Sequence, residues 1–160
     1  MKSIVVYYSM GGNCELVAKK IAELTGADLL RIEPEKAYPD KGARKFIWGG
    51  KSAVMGETPA LKPYEFDGAA YERVIFGFPV WASNITPPIR TFIKENATAL
   101  KGKKIATFAC QSGSGAEKAF GKLCNALDVM NLEATMVLID PKDKANPEND
   151  EKIKRFCEAL

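Results

Sequence analysis

Short apolar, β-rich runs alternate along this chain with segments of helical periodicity, and that alternation limits the fold more than any other feature. A strand, a helix and a second strand close as a parallel pair. Repeated units build one parallel sheet with helices on both faces. The first run, residues 3–8, reads Ser-Ile-Val-Val-Tyr-Tyr, the pattern of a strand buried on both faces. Further strands are predicted over 28–32, 73–78, 104–110 and 133–139. A helix is predicted over 13–25, with Val17, Ile21 and Leu24 on one face and Gly26 as its C-cap. Thr86-Pro87-Pro88 opens the next helix, with threonine as cap and Ile89, Phe92 and Ile93 as the apolar face. Ser114-Gly115-Ala116-Glu117 reads as a capping box for a helix that buries Phe120, Leu123, Cys124 and Leu127. Asn146-Pro147 caps a last helix with Ile153, Phe156, Cys157 and Leu160 inward. Residues 34–72 are rich in proline and glycine and are predicted irregular, with a short helix over 42–55. The fold class is therefore α/β: a three-layer, doubly wound sandwich on a five-stranded parallel sheet. A single domain is expected to span 1–160, a length suited to one core.

Composition removes several function classes. The chain has no histidine, so the commonest zinc ligand and the commonest general base are both missing. Cys14, Cys110, Cys124 and Cys157 form no Cys-x-x-Cys pair and read as reduced thiols packed like small apolar groups. No apolar run approaches the ~20 residues that span a bilayer, and no signal segment opens the sequence, so a cytoplasmic location is expected. Net charge is +3, from scattered basic residues rather than the dense patch that nucleic acid requires. Neither a nucleic-acid nor a membrane partner is expected, and the molecule is expected to be a monomer or weak homodimer.

In open α/β sheets, ligands bind beyond the carboxyl ends of the strands, where strand order reverses. Three loops rich in glycine and small polar residues fall at that edge: 9–14, 79–84 and 111–115. The first, Ser9-Met10-Gly11-Gly12-Asn13-Cys14, joins a buried strand to a helix N-terminus, where partial positive charge and unpaired N–H groups suit a phosphate. Ser9 and Asn13 can add side-chain donors. A plain tight turn using glycine is the alternative for this loop taken alone.

Three segments, in order, resemble the flavodoxin family. Tyr8-Ser9-Met10-Gly11-Gly12-Asn13-Cys14 resembles its phosphate loop, Gly77-Phe78-Pro79-Val80-Trp81 its second flavin loop, and Phe108-Ala109-Cys110-Gln111-Ser112-Gly113-Ser114-Gly115 its third. The resemblance implies strand order 2-1-3-4-5 and one FMN. It places the phosphate on Ser9–Cys14 and the ring between Pro79, Val80, Trp81 and Ala82 on one side and Ser112, Gly113 and Ser114 on the other. Trp81 would lie against the ring; Trp48 reads as packing or as a cover for the flavin. Gly11 and Cys14 stand where the family usually has threonine, so weaker FMN binding is expected. Ala82 stands where glycine often follows the ring-stacking tryptophan, and alanine resists positive φ.

Other readings of these motifs fail on their own residues. Trp48-Gly49-Gly50-Lys51-Ser52 ends like a nucleotide-binding loop, but its first glycine would fall on Lys45. A phosphatase using Cys14 would need arginine at Lys20, and a receiver domain would need acids at Tyr8 and Phe78. Three functions stay open: an electron-transfer flavodoxin serving a redox partner protein or small acceptor, an FMN-dependent NAD(P)H:quinone-type oxidoreductase, and a flavin-free interaction module. Under both flavin readings no side chain is an acid–base catalyst.

Overall fold

A computed structural model describes residues 2–38 and 55–160 of the protein. Its strands are β1 (Ser3–Tyr7), β2 (Asp28–Arg31), β3 (Arg73–Pro79), β4 (Lys104–Gln111) and β5 (Thr135–Ile139). They form one sheet in the order β2-β1-β3-β4-β5, every pair parallel. The connecting helices are α1 (Asn13–Thr25), α2 (Pro87–Glu95), the single turn α3 (Ala97–Leu100), α4 (Ala116–Leu127) and α5 (Glu148–Glu158). Among the described residues, no helix is long and apolar enough to cross a membrane. The helix expected over 42–55, and Trp48, lie outside the described residues but for position 55.

Alternation along the strands divides the core into two layers. Val5 and Tyr7 of β1, Ile75 of β3 and Phe108 and Cys110 of β4 pack with Val17 and Ile21 of α1 and Ile153 and Phe156 of α5. Ile4 and Val6, Val74, Phe76 and Phe78 face the opposite way, toward Ile89 and Phe92 of α2 and Ala119 and Leu123 of α4. Successive strand residues point to opposite faces, so the four apolar residues of β1, Ile4 to Tyr7, serve both layers. Thr107, fully buried in β4, donates its hydroxyl to the Phe76 carbonyl at 2.9 Å, which satisfies a group that would otherwise be costly there.

Three local expectations are corrected. The buried stripe of α1 is Cys14, Val17, Ala18 and Ile21, while Leu24 is 58% exposed. Thr86 is the N-cap residue of α2 but makes no side-chain cap: Pro88 removes the N2 N–H, and the buried hydroxyl meets no partner among the described residues. Ser114 does not cap α4 either; the Gln111 side chain accepts from Ala116 N–H at 3.1 Å and does that work. The Asn146 cap is present, its Oδ1 accepting from Glu148 N–H at 2.9 Å.

The end of the sheet opposite the strand carboxyl termini carries a largely buried ion pair. Arg73 Nε and Nη2 donate to the two carboxylate oxygens of Glu133, each at 2.6 Å, and Nη1 reaches Ser3 Oγ at 3.3 Å. The guanidinium beside Glu133 holds its carboxyl below the usual carboxylate range.

Candidate functional site

The chain leaves β1 through α1 to reach β2 on one side, whereas β3 lies on the other side of β1. The loops after β1 and β3 therefore part, and a crevice opens at the carboxyl edge. A cavity of about 390 Å³ sits there, within the range of small-molecule sites. Twelve of the thirteen residues expected from sequence line it: Ser9, Met10, Gly11, Asn13, Cys14, Pro79, Val80, Trp81, Ala82, Ser112, Gly113 and Ser114. Gly12 does not; it is set behind the loop, against Lys142.

The first loop turns into α1 through Gly12 at φ +93°, a left-handed conformation that side chains resist. Glu15 N–H donates to the buried Ser9 hydroxyl oxygen at 3.2 Å, and Leu16 N–H to the Gly12 carbonyl at 3.1 Å. The N–H groups of Gly11, Gly12, Asn13 and Cys14 meet no acceptor among the described residues. Asn13 Oδ1 is already engaged, accepting from Lys142 N–H at 2.8 Å, so the amide of Asn13 can offer the loop only its nitrogen. The Cys14 thiol lies against Cys110 inside the core, and burial pushes it well above its ordinary pKa. It is a packed thiol, not a nucleophile.

The second loop is a two-residue reversal. Asn84 N–H donates to the Trp81 carbonyl at 3.0 Å, and Ala82 and Ser83 between them take φ of +52° and +56°. Two successive left-handed residues define a type I′ turn, normally the place of asparagine and glycine. The sequence led us to expect that Ala82 would resist positive φ; it already occupies it, under strain, because the turn is held from both ends. Asn84 Oδ1 accepts from Ile85 N–H at 2.8 Å and from Arg90 Nη2 at 3.0 Å. Ala82→Gly is expected to raise stability by about 0.5–1 kcal/mol, less than the αL penalty because glycine loses more chain entropy. A melting temperature higher by ~1–4 °C would register it; no change or a decrease would show the turn to be unstrained.

Trp81 stands on this turn with its ring edge-to-face to Tyr8 at 5.7 Å and to Tyr38 at 5.3 Å. It is half-buried, packing on the core and lining the cavity at once. Tyr8, at the end of its strand, is the buried support beside it, and Phe78 is buried against Phe120.

The third loop touches the second at one point. Gly115 takes φ +108°, and a side-chain carbon placed there would lie 3.0 Å from Ser83 Cα. Ser112 Oγ donates to Asp140 Oδ1 at 2.9 Å, and Asp140 N–H to the Gln111 carbonyl at 3.1 Å. Asp140 and Asp143, on the connection from β5 to α5, complete the lining with Cys110 and Gln111. Sequence reasoning missed all four. Gln111 lay inside a segment already singled out, and Asp140 follows a strand at the same sheet edge; that position was the available signal.

Solved structures share this architecture. A flavoprotein from Lactobacillus acidophilus in complex with FMN superposes with a TM-score of 0.75 at 18% identity, over 97% of each chain. The apo form of a flavoprotein from the same organism gives 0.67 at 20% identity, over 89% of this chain and 95% of the other. Two-electron-reduced flavodoxin from Megasphaera elsdenii gives 0.59 at 21% identity, over 98% and 96%. At such identities the likeness speaks for the fold. A profile of the flavodoxins matches the sequence itself across residues 2–149, and with that match over nearly its whole length the chain belongs to the flavodoxin family.

Proposed function

We propose that the cavity takes FMN and that the protein is an electron carrier, handing electrons to a redox partner through that cofactor. The observation that carries the reading is the meeting of three loops around one crevice at the β1–β3 divide. The donor set fits the group. Four loop N–H groups without a described acceptor, at the start of a thirteen-residue helix, match a phosphate's oxygens and charge. An indole edge on one wall and small residues on the other leave room for a flat ring.

When bound, FMN supplies the redox chemistry. The chain's own residues bind, orient and shield. Ser9–Cys14 would hold the phosphate, while Pro79–Ala82 and Ser112–Ser114 would flank the ring and keep water from one of its sides. The ionisable groups that line the cavity are Cys14, Cys110, Asp140 and Asp143. The Cys14 thiol is held neutral by burial, and the Asp140 carboxylate is engaged with Ser112 and Lys144. Neither is placed to act as an acid or base on a substrate. As a carrier, the FMN-loaded protein is expected to turn over no faster than free FMN in an assay with NADH or NADPH and a quinone. Rapid, saturable nicotinamide oxidation would replace the carrier reading with that of a reductase.

Affinity follows from the loop. Gly11 and Cys14 lack the hydroxyls that threonine would bring, and a hydrogen bond to a charged group is worth roughly 1.5–3 kcal/mol. The Cys14 thiol, buried against Cys110, is a weaker donor than the hydroxyl it stands for. FMN fluorescence quenching is expected to give a Kd weaker than nanomolar, and Gly11→Thr to tighten it. Nanomolar or tighter binding by the native chain would contradict this.

A further inference from the structure

The connection from β5 to α5 lines part of the crevice and grips the first loop from outside. Lys142 makes most of that grip. Its backbone N–H donates to Asn13 Oδ1 at 2.8 Å, and its Nζ donates to the Gly11 carbonyl at 3.2 Å. Its side chain also lies along Gly12, with Nζ 2.9 Å and Cδ 3.0 Å from where a Cβ would stand. One residue thus contacts three consecutive members of the loop, 129 to 131 positions away in sequence. The Lys142 ammonium forms no ion pair among the described residues, whereas Lys144 two positions on pairs with Asp140.

We propose that Lys142 is the positioning residue of the phosphate loop, and that its ammonium supplies the charge complement that Gly11 and Cys14 do not. This rests on the FMN reading above. A carbonyl drawn outward toward Nζ turns the following N–H inward, because the two point in opposite directions across a trans peptide. The Gly11 carbonyl held by Lys142 therefore orients the Gly12 N–H, and the Asn13 side chain held by the Lys142 backbone steadies the start of α1. The ammonium adds a positive charge next to the positive end of the helix, where an anion gains from both. Loss of the side chain leaves the backbone contact to Asn13 and removes the other two. The effect should therefore fall on the phosphate, not on the ring.

The test compares FMN with riboflavin, which carries the same ring without the phosphate. Dissociation constants for both are measured by fluorescence quenching, at low and high salt, for the native protein, Lys142→Met and Lys142→Arg. Lys142→Met is expected to weaken FMN roughly tenfold, as for loss of a positive charge near the phosphate and of the hold on the Gly11 carbonyl, and to leave riboflavin unchanged. Its FMN binding should also depend less on salt, and Lys142→Arg should recover part of the loss. A preserved FMN-to-riboflavin ratio in Lys142→Met would overturn the assignment while leaving the FMN reading intact. Equal binding of both flavins by the native protein would overturn it too, since the phosphate would then contribute nothing. A native protein that binds neither flavin would remove the FMN reading and this inference with it.

Discussion

Gly115→Ala is expected to weaken FMN binding by roughly 30- to 100-fold and to lower stability by about 2–3 kcal/mol. Two costs combine. A β-carbon at φ +108° is strained in itself, and it would lie 2.5 Å from the Oγ, 3.0 Å from the Cα and 3.1 Å from the Cβ of Ser83. The hydroxyl can rotate aside, but the Cα behind it is backbone and sits in the turn whose residues Ala82 and Ser83 are already left-handed. Relief of the clash therefore displaces the turn that carries Trp81, and with it one wall of the cavity. Ser83→Gly in the same chain should recover part of the affinity, because it removes the opposing side chain and eases the turn. The pair is read by FMN titration and thermal melting. Unchanged affinity in Gly115→Ala would mean that the second and third loops do not depend on one another.

Arg73→Ala is expected to destabilise the fold by about 3 kcal/mol, the low end for breaking a buried pair, since Glu133 keeps some contact with water. The guanidinium is 9% exposed and makes both of its bonds to Glu133 at 2.6 Å, so its removal leaves a carboxylate at the sheet edge without its partner. The dependence on pH has a definite sign. Hydrogen bonding to Arg73 lowers the folded pKa of Glu133, with burial opposing and the Arg73 and Lys104 charges assisting. A depressed carboxylate contributes stability that is fully present above its unfolded pKa of about 4.3 and is lost as pH falls through the folded value. The gap between native and Arg73→Ala proteins, from urea unfolding, should therefore be full at pH 7 and narrow below about pH 4. A gap independent of pH would show that the pair acts through packing alone. FMN affinity should survive in the folded fraction, because Arg73 lies at the opposite end of the strands from the cavity.

Much of this architecture is legible in the sequence, for reasons that are local. The helix predicted over 13–25 appears with those bounds, its end marked by Gly26 N–H bonding to the Ala22 carbonyl at 2.8 Å. The strands fall within two residues of their expected limits; β1, β3 and β4, buried on both faces, announce themselves as apolar runs. The three loops could be found because a parallel α/β chain returns every strand's carboxyl end to one edge. The failures share a different cause. Leu24 was assigned to the buried face by spacing, but Cys14 and Ala18, small residues that carry little weight in an apolar pattern, complete the stripe instead. Ser114 fits a capping box by position, yet it is Gln111, on a longer side chain from the end of β4, that accepts from the opening turn, at Ala116 N–H. The grip of Lys142 on Gly11 and the bond between Ser112 and Asp140 join segments far apart in sequence, which no local pattern can report.

The central claim, that this cavity holds FMN for electron transfer, is tested most directly by adding FMN to the purified protein and recording its visible spectrum during stepwise anaerobic reduction. The account predicts a bound-flavin spectrum distinct from that of free FMN, with reduction resolving into two one-electron steps and no acceleration by NADH or NADPH. A spectrum that stays that of free FMN throughout would contradict it.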